Sequence, residues 1–148
     1  MENHPNLVAD LIRALESLKK SHWRPEVEMP ITPSEMNLLL NLYHHCDPDR
    51  AGLQPSELGE LLQISRPTVT SLVNSLESQG YVERRHDKVD RRAVLVCLTP
   101  KGRHFVDVGR TIFENHMRSL VNFLGVDDAQ ELIRLIRRVQ LFNEVRKH

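Results

Sequence analysis

The chain has 148 residues, 40% of them hydrophobic and 27% charged, a balance that supports one compact core with a few extra helices and excludes a disordered polar chain. Two cysteines, Cys46 and Cys97, are too few for a disulfide framework and too far apart for a zinc pair, and no run approaches the roughly 18 apolar residues of a membrane span. Lys plus Arg and Asp plus Glu stand at 20 each, so a nucleic-acid partner, if there is one, must be met by a local patch rather than by net charge. With no basic-then-apolar leader at its start, the chain is expected in the cytoplasm, without a membrane partner.

Leu7, Val8, Leu11, Ile12, Leu15 and Leu18 recur at three- and four-residue steps, predicting a first helix from Pro5 to about His22. A connector with Pro25 and Pro30 follows. The second helix has a strong start: Thr32 as cap, Pro33 at the first helical position, Glu35 closing a capping box, and Ile31 with Met36 as a hydrophobic staple. Its residues Met36, Leu38, Leu39, Leu40, Leu42 and Tyr43 are apolar around most of its girth, as expected of a core helix.

Asp47-Pro48-Asp49 and Gly52 interrupt the chain, and Pro55 opens a short third helix with Leu58, Leu61 and Leu62 expected inward. After a tight connection Ser65 caps a fourth helix, with Ile64 placed to staple against Val69. Val69, Leu72, Val73 and Leu76 are expected inward, and the other side carries Thr68, Thr70, Ser71, Asn74, Ser75 and Ser78 in place of the usual long Glu and Lys. Gly80 supplies a left-handed stop. Residues 81–85 and 93–98 read as two strands around a polar loop, 86–92. Cys97, by alternation with Val96 and Leu98, is expected to point outward, and Cys46 to be a small buried hydrophobe. Thr99-Pro100 then begins a long fifth helix to about Leu124, Gly125 ends it, and Asp127 with Gln130 is the expected capping box of a sixth.

Charge is unevenly spread along this order. Residues 64–103 hold Arg66, Arg84, Arg85, Lys88, Arg91, Arg92, Lys101 and Arg103 against Glu77, Glu83, Asp87 and Asp90, whereas 34–63 hold Arg50 against five acids. A basic patch is therefore expected on the fourth helix and hairpin. Two helices joined by a tight turn and followed by a hairpin are the parts of a winged helix-turn-helix, so the fold expected is mainly α with a small β-hairpin wing. Residues 32–99 would form the DNA-binding domain, and 1–31 with 100–148 a helical dimerisation region. Short side chains at the start of the fourth helix, Ser65, Pro67, Thr68, Thr70 and Ser71, let a backbone approach a major groove closely, and Arg66 can make a bidentate contact to guanine that discriminates by about 1 to 3 kcal/mol. The wing cations Arg84, Arg85, Lys88, Arg91 and Arg92 suit phosphates and a narrow minor groove, with Asp90 expected to hold the Arg92 guanidinium by paired hydrogen bonds. A solvated helix face and a solvated charged loop are the ordinary alternatives, and the succession of the two elements argues against both.

The runs Gln54-Pro55-Ser56-Glu57-Leu58, Arg66-Pro67-Thr68-Val69-Thr70, Leu76-Glu77-Ser78-Gln79-Gly80-Tyr81-Val82 and, most specifically, Asp90-Arg91-Arg92 leading through Ala93-Val94-Leu95-Val96-Cys97-Leu98 to Thr99 resemble the MarR family of bacterial and archaeal regulators. The resemblance implies that Arg92 is the minor-groove arginine with Asp90 as its partner, that the first, fifth and sixth helices build a homodimer, that the operator on double-stranded DNA is an inverted repeat, and that a small-molecule effector often releases it. It points to a transcription repressor with no cofactor and no catalysis. Broad apolar faces on helices at both ends of so small a chain make a dimer plausible independently.

Other readings are weaker. Trp23, Tyr43 and Phe113 are candidates for an effector site, though such aromatics are more often core. Eight histidines invite a metal-responsive regulator, but His44 and His45 diverge by about 100° on a helix and no ligand spacing is recognisable, so no metal residue is assigned. No phosphate loop, nucleophile elbow or paired carboxylates suggest an enzyme. A winged helix used as a protein adaptor is the remaining rival.

Overall fold

A computed structural model describes residues 4–21, 24–25, 28–47 and 49–146. Among them run α1 (Pro5–Lys20), α2 (Pro33–His45), α3 (Pro55–Leu62), α4 (Arg66–Ser78), β1 (Val82–His86), β2 (Val94–Leu98), α5 (Pro100–Leu124) and α6 (Val126–Val145). The chain divides into two compact units, residues 27–110 and residues 1–26 with 111–148.

The unit 27–110 owns a sealed core. Leu38, Leu39 and Leu42 of α2 meet Leu53, Leu58 of α3, Val69, Val73 and Leu76 of α4, Val82 and Val96 of the hairpin, and Val106 of α5 in one buried cluster. The local signals that start its helices are realised. Glu35 N–H donates to Thr32 Oγ1 (3.2 Å) while Thr32 N–H donates to Glu35 Oε2 (2.6 Å), the reciprocal capping box expected at α2. Ile31 is buried and Met36 packs on the same cluster, in keeping with the staple. In α3 the Gln54 N–H reaches Glu57 Oε2 at 2.7 Å. That bond, ahead of the ion pair from Arg50, holds the Glu57 carboxyl below its ordinary range despite partial burial. Only part of α3's expected inner face is covered: Leu58 is buried, Leu62 half-buried and Leu61 exposed, because α3 packs on α2 and α4 from one side and a helix of two turns has too little width to bury three leucines.

β1 and β2 pair antiparallel from Val82 opposite Leu98 to His86 opposite Val94, so His86 closes the strand instead of beginning the loop. Leu53 adds a third, one-residue rung, exchanging both backbone bonds with Val96 at 3.0 and 2.8 Å. This rung corrects the expectation for Cys97. Gly52 lies against the Cys97 thiol so closely that a Cβ there would sit 2.6 Å from Sγ, and Cys97 is buried, not outward. Alternation describes a strand with one covered face, and here the 51–53 segment covers the second. Burial pushes both thiols up, Cys97 and the half-buried Cys46 alike, the direction that disfavours the thiolate.

At the base of the wing Gly80 has the expected left-handed conformation (φ +79°). Thr99 Oγ1 donates to the Gly80 carbonyl (2.6 Å) and accepts the Gly102 N–H (3.0 Å), capping α5 and tying it to the turn after α4. The first turn of α5 then runs so near the Tyr81 backbone that a Cβ on Gly102 would lie 2.0 Å from the Tyr81 carbonyl oxygen. Phe105 packs on the Tyr81 ring, centroids 4.7 Å apart.

The other unit holds α1, the latter part of α5, and α6. Among its described residues Ala129 alone is buried. Leu7, Leu11, Leu15 and Leu18 of α1 and Ile133, Ile136, Val139 and Phe142 of α6 are between 48% and 65% exposed. The capping box expected at Asp127 does not form. Gly125 (φ 79°) takes the N-cap position without a side-chain bond, and α6 starts at Val126, since a single left-handed residue joins α5 to α6 and leaves Asp127 and Asp128 inside the first turn, where they favour the helix dipole. No helix among the described residues is long and apolar enough to cross a membrane.

Candidate nucleic-acid interface

The expected DNA-reading side chains fall on two neighbouring features of the 27–110 unit. α3 and α4 pack together through a turn in which Gln63 takes a left-handed conformation (φ 54°), a role that glycine usually fills and that polarity patterns do not reveal. Ser65 caps α4, its hydroxyl accepting from Thr68 N–H at 3.4 Å and lying 2.8 Å from Thr68 Oγ1. Thr70 Oγ1 donates to the Arg66 carbonyl at 3.1 Å. Ser65, Arg66, Pro67, Thr68, Thr70 and Ser71 are all exposed. No acidic residue stands in the first turn of α4, so the positive end of its dipole, its N–H groups and Arg66 present one cationic, short-side-chain surface.

The C-terminal half of α4 is used differently. Ser75, expected on the open face, is half-buried instead and helps to lower the pKa of the buried Glu35 carboxylate. Burial alone would raise that carboxyl, but the Ser75 hydroxyl and the Thr32 N–H and side chain outweigh it and the net direction is down. The amphipathic pattern had no way to show this, because the partner lies forty residues back on α2. Asn74 and Glu77 are engaged by Arg84, whose guanidinium bonds Asn74 Oδ1 at 2.7 Å and forms an ion pair with Glu77. Arg85 pairs with Glu83 on its own strand.

Beyond these braces the wing tip is ordered through its main chain. Asp87 Oδ1 accepts from Val89 N–H (2.9 Å), His86 Nδ1 lies 3.1 Å from the Arg91 carbonyl, and Ala93 N–H donates to the Asp90 carbonyl (3.0 Å). Asp90 Oδ1 accepts from the backbone N–H of Arg92 at 3.1 Å. This corrects the paired contact expected with the Arg92 guanidinium: two residues apart in a turn, the carboxylate closes a local ring onto the Arg92 amide instead. Lys88, Arg91 and Arg92 are exposed and make no ion pair among the described residues. Of the five wing cations singled out by sequence, two are thus held by carboxylates and three project freely.

Tyr43 is half-buried, donates to Asp107 Oδ1 at 2.6 Å, and has the guanidiniums of Arg103 and Arg110 at 5.3 and 5.2 Å from its ring centre. Phe113 belongs to the other unit, and Trp23 lies outside the described residues. No group of three or more His, Cys, Asp or Glu side chains among the described residues converges as a metal site.

Comparison with known proteins places this geometry. Residues 30–93 match the model of the MarR family. The HTH-type transcriptional regulator PrsX of Escherichia coli is 30% identical over 103 residues, 70% of this chain but 58% of that protein, so the match spans little more than half of PrsX. The HTH-type regulator YkoM of Bacillus subtilis is 26% identical over 97% of this chain and 90% of its own. A Staphylococcus aureus MepR mutant, solved bound to an oligodeoxyribonucleotide, superposes with a TM-score of 0.65 at 25% identity, covering 90% of this chain and 95% of that one. With the helix order and the wing in agreement with the family model, residues 30–93 carry the winged helix-turn-helix of the MarR family.

Proposed function

We propose that this protein is a homodimeric, sequence-specific repressor that binds double-stranded DNA at an inverted-repeat operator in the cytoplasm and is released by a small-molecule effector. The observation that carries the reading is the pairing, on one unit, of an exposed hydroxyl-lined helix N-terminus with a wing tip whose three cations lack carboxylate partners among the described residues. α4 would lie in the major groove, with Arg66 and the Ser65, Thr68 and Ser71 hydroxyls at base edges and phosphates, while Arg92 enters the adjacent minor groove. The MepR structure with bound oligodeoxyribonucleotide, on the same fold, supports that docking. In this reading residues 32–99 are the DNA-binding domain. Residues 1–31 and 100–148 pair with a second copy, supported by the half-exposed apolar rows on α1 and α6. A twofold dimer sets half-sites about 10 base pairs apart, and a bound dimer represses by occupying promoter DNA. The Tyr43 region, with two guanidiniums around one ring, is the place to look for an acidic effector.

The test is fluorescence anisotropy on duplexes recovered by selection from a random pool, at two salt concentrations. The protein should bind nanomolar to submicromolar and weaken steeply with salt, as phosphate neutralisation requires. Arg92→Ala should cost about tenfold or more, each wing contributing about 1 to 3 kcal/mol, whereas Thr68→Ala should mainly change which sequence is selected. Binding without salt dependence would convert the protein into an adaptor, and equal affinity of wild type and Arg92→Ala would remove the wing from the interface.

A further inference from the structure

We propose that Arg84 is a positioning residue that fixes the angle between the recognition helix and the wing, and so sets the base-pair spacing between their contacts. The proposal rests on the DNA-binding reading above and assigns Arg84 a role other than touching DNA. Its three bonds all run to the C-terminal half of α4. The Arg84 N–H donates to Glu77 Oε1 at 3.2 Å, one guanidinium nitrogen pairs with Glu77 Oε2, and the other donates to Asn74 Oδ1 at 2.7 Å. Asn74 and Glu77 are three residues apart, on one face of the helix. A planar fork held at two points, with its own backbone held at a third, fixes direction as well as distance.

Geometry makes that direction matter. The free cations begin beyond His86, at the end of a two-stranded hairpin, and such a hairpin is soft without support. Five residues from Arg84 to Val89 span about 17 Å at the strand rise of about 3.3 Å. A tilt of about 10° at Arg84 would therefore carry the tip about 3 Å, close to the 3.4 Å step between base pairs. The alternative, that Arg84 grips a phosphate, conflicts with its surroundings. Its side chain is 31% exposed, and the Glu77 carboxylate that holds it would repel the phosphate competing for it.

The experiment uses the full-length protein and two duplexes made from the selected operator. One keeps the spacing between the α4 site and the A/T-rich minor-groove tract read by the wing, and the other moves that tract by one base pair. Wild type should prefer the first by about tenfold. Arg84→Gln and Glu77→Gln should bind the correct duplex more weakly and bring the preference near unity. Arg84→Lys should not rescue it, because an ammonium cannot bridge both partners. Thermal melts show which variants keep the fold, and Glu77→Gln, which retains size and hydrogen-bonding atoms, decides the matter if Arg84→Gln is unstable. A phosphate-gripping Arg84 would cost both duplexes equally and keep the tenfold preference, which overturns the proposal, as does an undiminished preference in Glu77→Gln. Absence of salt-dependent DNA binding by wild type would instead overturn the underlying reading, and the proposal with it.

Discussion

The two units of this chain solve the same problem in opposite ways. Among the described residues, the largest fully buried side chains all lie in residues 27–110, from Leu38 to Cys97 and Val106. In the unit formed by the two ends of the chain, the apolar rows of α1 and α6 stay about half in water. Burying a leucine-sized side chain is worth about 1.5 to 3 kcal/mol, so the first unit holds its stability internally and the second leaves much of its own unrealised. For the proposed function such a division is useful: the unit that would read DNA has its own core, and the open apolar rows of the other are left for the proposed second copy.

The contrast breaks most sharply by charging the open rows. Leu11→Glu with Ile136→Glu would place two carboxylates in each protomer, hence four in the proposed twofold interface, where an unpaired buried charge costs several kcal/mol. Sedimentation should show a monomer at micromolar concentration. Near-ultraviolet signals from Tyr43 and Tyr81 in the 27–110 unit should persist, and operator affinity should fall at least a hundredfold as the second half-site is lost. A double variant that still sediments as a dimer would put the assembly surface elsewhere.

The complementary change attacks the sealed unit at a point invisible in the periodicity. Gly102→Ala would place a methyl where the Tyr81 carbonyl oxygen stands 2.0 Å away, and backbone cannot step aside as a flexible side chain can. The first turn of α5 must lift from the wing base, at a cost of about 1 to 3 kcal/mol. Urea unfolding should register that loss, while the dimer proposed for the other unit should survive at concentrations where the protein is folded. Gly109→Ala is the control, its Cβ meeting only the ends of Met29 and Met36 beyond 3.6 Å.

What could be read in advance divides along the same physical line. The caps of Thr32, Ser65 and Thr99, the stop at Gly80, and the hairpin are local events, written within three or four residues of one another, and they appear in the structure where the residues put them. The exposed start of α4 followed directly from its hydroxyls. Cys97, Gly102, Ser75 and Arg84 were not legible in this way. Each is decided by a partner from another element, Gly52, the Tyr81 backbone, Glu35 and Glu77 respectively, and the 2.0- and 3.6-residue periods carry no information about which segment crosses which. Asp90 went astray for a subtler reason: the side-chain pair and the backbone turn use the same two residues, and sequence alone does not choose between them.

Glu35 offers the finest probe of the 27–110 unit, because its carboxyl links the start of α2 to the C-terminal half of α4. Its folded carboxyl is held below the ordinary range near 4.5 by Ser75 and Thr32 in spite of burial. A depressed acid contributes stability above its unfolded value, and that contribution disappears as pH falls through the folded one. The urea midpoint of wild type should therefore be flat from pH 7 to about 5 and decline below about 4.5. Glu35→Gln should start lower at pH 7, by about 1 kcal/mol for a charged hydrogen-bonding group replaced by a neutral one, and decline less steeply, so the two curves converge in acid. Ser75→Ala, which spares the capping box and removes only the tie to α4, should reproduce a smaller part of the same convergence. Parallel curves for wild type and Glu35→Gln would mean that the carboxylate does not hold α4, and that packing of Val69, Val73 and Leu76 alone fixes that helix.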